Sequence, residues 1–219
     1  MKAFQKVDGG VMLSCREYDI APTTAITPGQ VVCITEGLVT AAKAAQTTPI
    51  LGIAGESHSG QVDALNPRAN GNKILVYDDP DLISACKAPE GTATGGTATT
   101  VVIGGLAAFS ADDFNGGYLK LISKAEGSTN TDAIGTCKRI NDFAISDGTG
   151  TFTVDRGATA AAGDVFAIYP PVGFAKGNLD TAGHALVLTA TAALAIKVVG
   201  RKGDDIMLMA KKHVLGAGE

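Results

Sequence analysis

The stretch ITPGQVVCITEGLVTAAKAAQTTPILGIAGESHSG, Ile26 to Gly60, decides the fold. A Pro28-Gly29 turn leads into a β-branched run of Val31, Val32 and Ile34, which suits an extended backbone. Glu36-Gly37 breaks that run as a tight polar turn, and an Ala- and Thr-rich step follows. Ile50, Leu51 and Ile53 form a second apolar run, and the stretch closes on Gly55 and Gly60. The reading is strand, turn, short strand, loop, strand. Ala41 to Ala45 contains good helix formers, but it spans barely one turn before Thr47-Thr48-Pro49. Alone it is too short to hold a helix, so it reads as a strand or a single helical turn.

Outward from this unit, the bulk numbers set the class. The chain has 219 residues, long enough for one large all-β domain or two small ones. Apolar residues make up 45% while aromatics are only 5% with no Trp, so Val, Ile, Leu and Ala must fill the core. The 28 glycines exceed the usual share of about 7% and favour many short strands joined by tight turns. Charged residues are sparse at 18%, which points to apolar surface covered in oligomeric contacts. A net charge of −4 lacks the basic footprint of a nucleic-acid binder. No apolar run reaches the roughly 18 residues of a membrane span. The first residues, MKAFQKVDGG, have no apolar core, so no signal peptide and synthesis in the cytoplasm are expected. Cys15, Cys33, Cys86 and Cys137 are widely spaced, and reduced core thiols are expected rather than disulfides.

Strand signals continue along the chain. Met1 to Tyr18 reads as an extended arm or a first edge strand, and Asn70-Gly71 as a hairpin turn before the strand Lys73 to Tyr77. Leu82 to Cys86 is another short strand. Ala88 to Thr100, APEGTATGGTATT, reads as a linker at a domain boundary. Strands then follow at Val101–Ile103, Tyr118–Ile122, Thr136–Ile140, Phe143–Ile145, Thr151–Val154 and Val165–Tyr169, with turn signals every ten or so residues. That spacing marks a β-sandwich or barrel-like unit. Apolar runs at Ala185–Leu188, Leu194–Val199 and Ile206–Met209, the last two separated by the charged turn Arg201 to Asp205, are expected to pair with the opening unit. The expected architecture is all-β: a small β-barrel or β-tulip-like domain built from both chain ends (1–90 and 173–219), with a second, sandwich-like unit (91–172) inserted.

Catalytic and metal chemistry is thin. His58, His184 and His213 have no ligand spacing, and a lone His is more often a loop or core residue. Gly55-Glu56-Ser57-His58-Ser59 imitates a nucleophile elbow, but Ser59 stands where the motif needs Gly and no helix follows. Asp78-Asp79-Pro80-Asp81 has neither the alternating ligands nor the closing Glu of a calcium loop and reads as a strand-ending turn. Asp112-Asp113 and Asp204-Asp205 read alike. No phosphate-binding glycine motif occurs. Arg201-Lys202 and Lys211-Lys212-His213 read as a solvated turn and tail. No enzyme, cofactor or metal is expected.

The segments Thr27 to Val32 (TPGQVV) and Pro49 to Ala54 (PILGIA), followed by a Gly-bearing turn and a Val/Ile-rich strand, resemble the β-rich capsid decoration, or cement, proteins of tailed bacteriophages. Phe114 to Leu119 through Ile140 to Ala162–Phe166 is similar to β modules of phage head and tail proteins. The chain departs from the shortest members by its whole middle unit. The resemblance implies a virion protein, synthesised in the host cytoplasm, that sits on the outer surface of an icosahedral shell. Its partners would be the major capsid protein and itself, as a homotrimer that stabilises the shell. Val31, Val32, Ile34, Ile50, Leu51 and Ile53 are the expected interface residues. A tail or baseplate module and a carbohydrate-binding β-sandwich are the alternative functions, the latter short of the aromatic platforms that sugars stack on.

Overall fold

The computed structural model describes residues 2–6, 15–21, 23–42, 49–60, 72–78, 82–155, 160–174, 178–179, 186–187 and 196–210. The described residues are all-β, without a helix. Along the chain run β1 (Lys2–Lys6), β2 (Cys15–Asp19), β3 (Ala25–Ile26), β4 (Val31–Thr35), β5 (Leu38–Ala41), β6 (Ile50–Ala54), β7 (His58–Ser59), β8 (Lys73–Tyr77) and β9 (Leu82–Lys87). The next six are β10 (Glu90–Thr97), β11 (Thr100–Ile103), β12 (Tyr118–Ser123), β13 (Cys137–Ser146), β14 (Thr149–Val154) and β15 (Val165–Tyr169). Then come β16 (Asn178–Leu179), β17 (Leu186–Val187), β18 (Ile196–Lys202) and β19 (Asp205–Ala210).

The deciding stretch forms the middle of a five-stranded sheet, ordered β2-β8-β6-β4-β5. β4 and β5 join through Glu36 (φ 52°) and Gly37 (φ 83°), both in the left-handed region that a two-residue primed hairpin turn requires. Its inner strands are apolar on both sides, while the edge strand β2 is mostly exposed. Val31, Ile50 and Ala42 pack into one core, while Val32, Leu51, Val39, Ile74 and Val76 pack into a second core on the other side. Adjacent residues point to opposite faces of a strand, so a sheet covered on both faces needs the uninterrupted Val-Val and Ile-Leu runs seen here. At Gly52 an added Cβ would fall 1.9 Å from the Tyr77 carbonyl oxygen, so β6 and β8 cross where no side chain fits.

β10 to β15 close into a six-stranded antiparallel barrel, ordered β10-β11-β14-β13-β12-β15. The inserted unit is thus a closed barrel rather than a sandwich. Its lumen holds Val101, Ile103, Leu119, Leu121, Ile140, Phe143, Phe152 and Phe166, the inward members of alternating strands such as β14. Phe114, fully buried, packs edge-on to Phe143 at 4.8 Å and stacks with Phe174 at 5.2 Å. The stretch read as a linker is largely β10. Two of its glycines are required by packing: a Cβ on Gly96 would sit 2.3 Å from the Thr100 carbonyl oxygen, and one on Gly91 2.7 Å from an Ile103 methyl. β13 likewise merges two expected strands into one of ten residues, with a register shift between Ile140 and Asp142.

A four-stranded sheet, ordered β1-β9-β19-β18, takes its strands from either side of the barrel segment. The closing hairpin therefore pairs with β9, Ile206 opposite Cys86, and not with the strands of the opening unit. β1 is an edge strand on the other side of β9. Val198, Ile206, Leu208 and Cys86 of this sheet belong to the same apolar core as the barrel. Asn70-Gly71 and most of the Ala41–Ala45 step lie outside the described residues. All four cysteines are free, as expected, but only Cys33 and Cys86 are buried; Cys15 and Cys137 are on the surface.

The Gly52 crossing gives a direct test. Gly52→Ala forces backbone against backbone and is expected to lower unfolding stability by about 3 kcal/mol. Urea unfolding followed by the fluorescence of the four tyrosines measures it.

Candidate functional site

The six expected interface residues come together in β4 and β6, but as core. Val31, Val32, Ile50, Leu51 and Ile53 are all at most 5% exposed, and only Ile34 is partly open. Their apolar area is already spent inside the chain, so any contact surface of this unit lies around them. The Thr27–Gln30 turn fastens the two strands: Gly29 N–H donates to the Ala54 carbonyl at 2.8 Å, and Ala54 N–H to the Gln30 carbonyl at 2.9 Å. Gln30, itself buried, accepts from Thr27 N–H through Oε1 at 3.1 Å. His58 is a buried member of β7, with Nδ1 3.0 Å from the Thr24 carbonyl and 3.1 Å from Gly60 N. No elbow forms at Ser57.

Three polar constellations stand out from the cores. The first is at the β2–β8 edge of the five-stranded sheet. The Tyr18 hydroxyl donates to Asp78 Oδ2, and Arg16 Nε lies 3.5 Å from the same oxygen. Asp78 is fully buried, and its Oδ1 meets no donor among the described residues. Burial first, and then the bond to Asp78, push the Tyr18 phenol up to about 12. Burial and the charges of Asp78 and Glu56 also raise the Cys15 thiol.

The second ties two barrel loops together. Asp164, fully buried, accepts from Ala125 N–H (3.0 Å), Asn130 Nδ2 (3.0 Å) and Ala161 N–H (3.1 Å). Burial alone would raise its carboxyl, but these bonds together with one from Ser128 outweigh it and hold the group below its ordinary value. Asn130 in turn orders the 124–132 loop: its carbonyl accepts from Lys124 Nζ at 2.7 Å and its Oδ1 from Asp132 N–H at 3.0 Å. Buried Lys138 pairs with Asp132 at 2.5 Å. This is a structural clasp.

The third lies where the barrel meets the closing hairpin. The Arg201 guanidinium carbon sits 5.0 Å from the Tyr118 ring centroid and 5.1 Å from that of Tyr169, a cation–π arrangement with both. Tyr169 OH donates to the Asp204 carbonyl at 3.4 Å, and Lys120 Nζ bonds the Asp204 carboxylate. That bond raises the Lys120 ammonium, and burial chiefly raises the Tyr169 phenol. Tyr118, Tyr169 and Arg201 are distant in sequence, and reading Arg201-Lys202 as a solvated turn missed their meeting. The turn is also narrower than expected: only Gly203-Asp204 caps the hairpin, with Arg201 and Lys202 in β18 and Asp205 in β19. Among the described residues no cluster of three His, Cys, Asp or Glu side chains suits a metal ion.

Asp164→Ala strands several buried donors and is expected to cost about 3 kcal/mol of stability, read as a shift in urea midpoint. Because the folded carboxyl titrates low, Asp164 contributes stability that is present above its unfolded value of about 3.9 and lost as pH falls through the folded value. Asp164→Asn removes that part of the acid dependence. Tyr18 works in the opposite sense. Its raised folded value adds stability below pH of about 10, which fades as pH rises toward 12. Ultraviolet titration is expected to show Tyr18 ionising late, at about 12, and Asp78→Asn to lower it, with burial still holding it above the ordinary value of about 10.

No family model, characterised protein or solved structure matches the chain.

Proposed function

We propose that the chain is a non-catalytic structural protein of a tailed-phage virion, seated on the outer face of the icosahedral capsid and stabilising it as a homotrimer. One observation carries the reading. The two segments that resemble phage decoration proteins, Thr27–Val32 and Pro49–Ala54, fold onto one another as the Thr27–Gln30 turn with the start of β4 and, in register beside it, β6. The resemblance thus falls on one hydrogen-bonded unit rather than on scattered turns. A sheet filled on both faces is rigid, and rigidity suits a brace, because ordering a loose segment on docking would subtract from affinity.

In this role the chain's partners are the major capsid protein and two further copies of itself. A protein that binds only the assembled shell stabilises it by mass action, and the symmetric copies of the shell multiply weak contacts into avidity. Shells of the phage that encodes the chain, heated or treated with chelator with and without the purified protein, test the reading. The disruption midpoint is expected to rise with added protein and the protein to co-sediment with intact shells. An unchanged midpoint counts against shell bracing, and co-sedimentation with tails alone points instead to a tail or baseplate component.

A further inference from the structure

Beside the Tyr118–Arg201–Tyr169 cluster, a cavity of about 200 Å³ lies between the barrel and the closing hairpin. Its apolar wall is Val198 and Ile206, both buried, with Pro171 alongside and Val172, 74% exposed, at the rim. Gly200 of β18 lines it as well, and a Cβ there would meet nothing within 4 Å. The strand thus presents bare backbone to an open space.

Arg201 supplies the charge. Among the described residues it has no carboxylate partner, since the neighbouring Asp204 carboxylate is taken by Lys120. Its one hydrogen bond is to Cys137 Sγ at 3.8 Å, a weak acceptor. The two tyrosine rings hold the guanidinium in place, which leaves N–H donors of its fork for a planar anion. A positioned cation beside an apolar recess calls for an anionic group on an apolar stem. The space is below the roughly 300 Å³ of a typical small-molecule pocket, yet ample for one aliphatic side chain. β18 is the outer strand of its sheet, but at Val198 that edge is already bonded to Gly173 N–H and the Phe174 carbonyl, so the side chains rather than strand addition carry the docking.

We propose that this cavity docks a peptide segment of a partner protein in which a carboxylate side chain stands next to an aliphatic one. The carboxylate bonds Arg201, and the aliphatic side chain fills the space over Gly200 against Val198 and Ile206. The site and its ligand chemistry do not depend on where in a virion, or elsewhere, the chain works.

Amide NMR of the full chain, titrated with terminally blocked dipeptides that pair Leu or Ile with Glu or Asp, tests it. Expected are saturable shifts confined to residues 116–118, 169–172 and 198–206, with dissociation constants on the order of millimolar for ligands of so few atoms. The Gln and Asn counterparts are expected to bind about tenfold more weakly, and Arg201→Gln to erase that difference. Gly200→Leu fills the recess without a clash and is expected to abolish binding at an unchanged or higher melting temperature. The proposal is overturned by any of four results: no saturable shift with any acidic dipeptide, equal binding of acid and amide forms, binding that survives Gly200→Leu, or acetate alone binding as tightly as the dipeptides.

Discussion

The structure depends on one sheet being buried on both faces. β4 and β6 lie inside the five strands, and the neighbouring pairs Val31-Val32 and Ile50-Leu51 each send one side chain into either apolar core. One of these cores is local to the opening unit, and the other continues through the barrel and the closing hairpin. The sheet is thereby the partition against which both cores are packed. Neither face tolerates a polar residue without a partner. This explains why the polar side chains at its margin, Gln30 and His58, are each hydrogen-bonded to backbone.

With apolar packing so evenly spread, the remaining specificity falls to a few carboxylates. Asp164 gathers the loops that cap one part of the barrel, and its cost of burial is met by four donors. Asp204 performs a lighter version of the same task at the junction with the hairpin, bonding Lys120 through its side chain and Tyr169 through its carbonyl. Asp78 is the exception, with one oxygen engaged and the other without a donor among the described residues. Unmatched buried oxygens of this kind are rare in folded chains.

The strand class was legible because β-branched runs and Gly turns are local signals: Lys73–Tyr77 and Val165–Tyr169 were read to the residue. What failed was whatever depended on a distant neighbour. Glu90–Thr97 has the composition of a linker, and only the close approach of Ile103 and Thr100 explains Gly91 and Gly96. Val31 and Ile50 read as contact residues in sequence because a one-dimensional pattern cannot tell a second core from a partner's surface. The partner of the closing hairpin was misjudged for a similar reason, since Ala85 and Cys86 are no more apolar than the strands of the opening unit. The meeting of Tyr118, Tyr169 and Arg201 left no trace in spacing at all. It is a product of barrel closure and of the way β19 is laid on β9.

The four-stranded sheet also sets an order of assembly. Cys86 and Ile206 are paired across about 120 residues of chain, whereas each barrel strand finds its partners within a segment of about 80. Closing a longer loop costs more chain entropy, and contacts of high sequence separation slow folding. The barrel strands can pair before the hairpin arrives, and a finished barrel shortens the effective distance between β9 and β18. On the ribosome, β9 emerges well ahead of its neighbour β19. Until that strand is made, one edge of β9 waits with unpaired backbone groups, and an exposed strand edge is what aggregation exploits. Synthesis therefore exposes an edge of β9 that the folded sheet covers with β19.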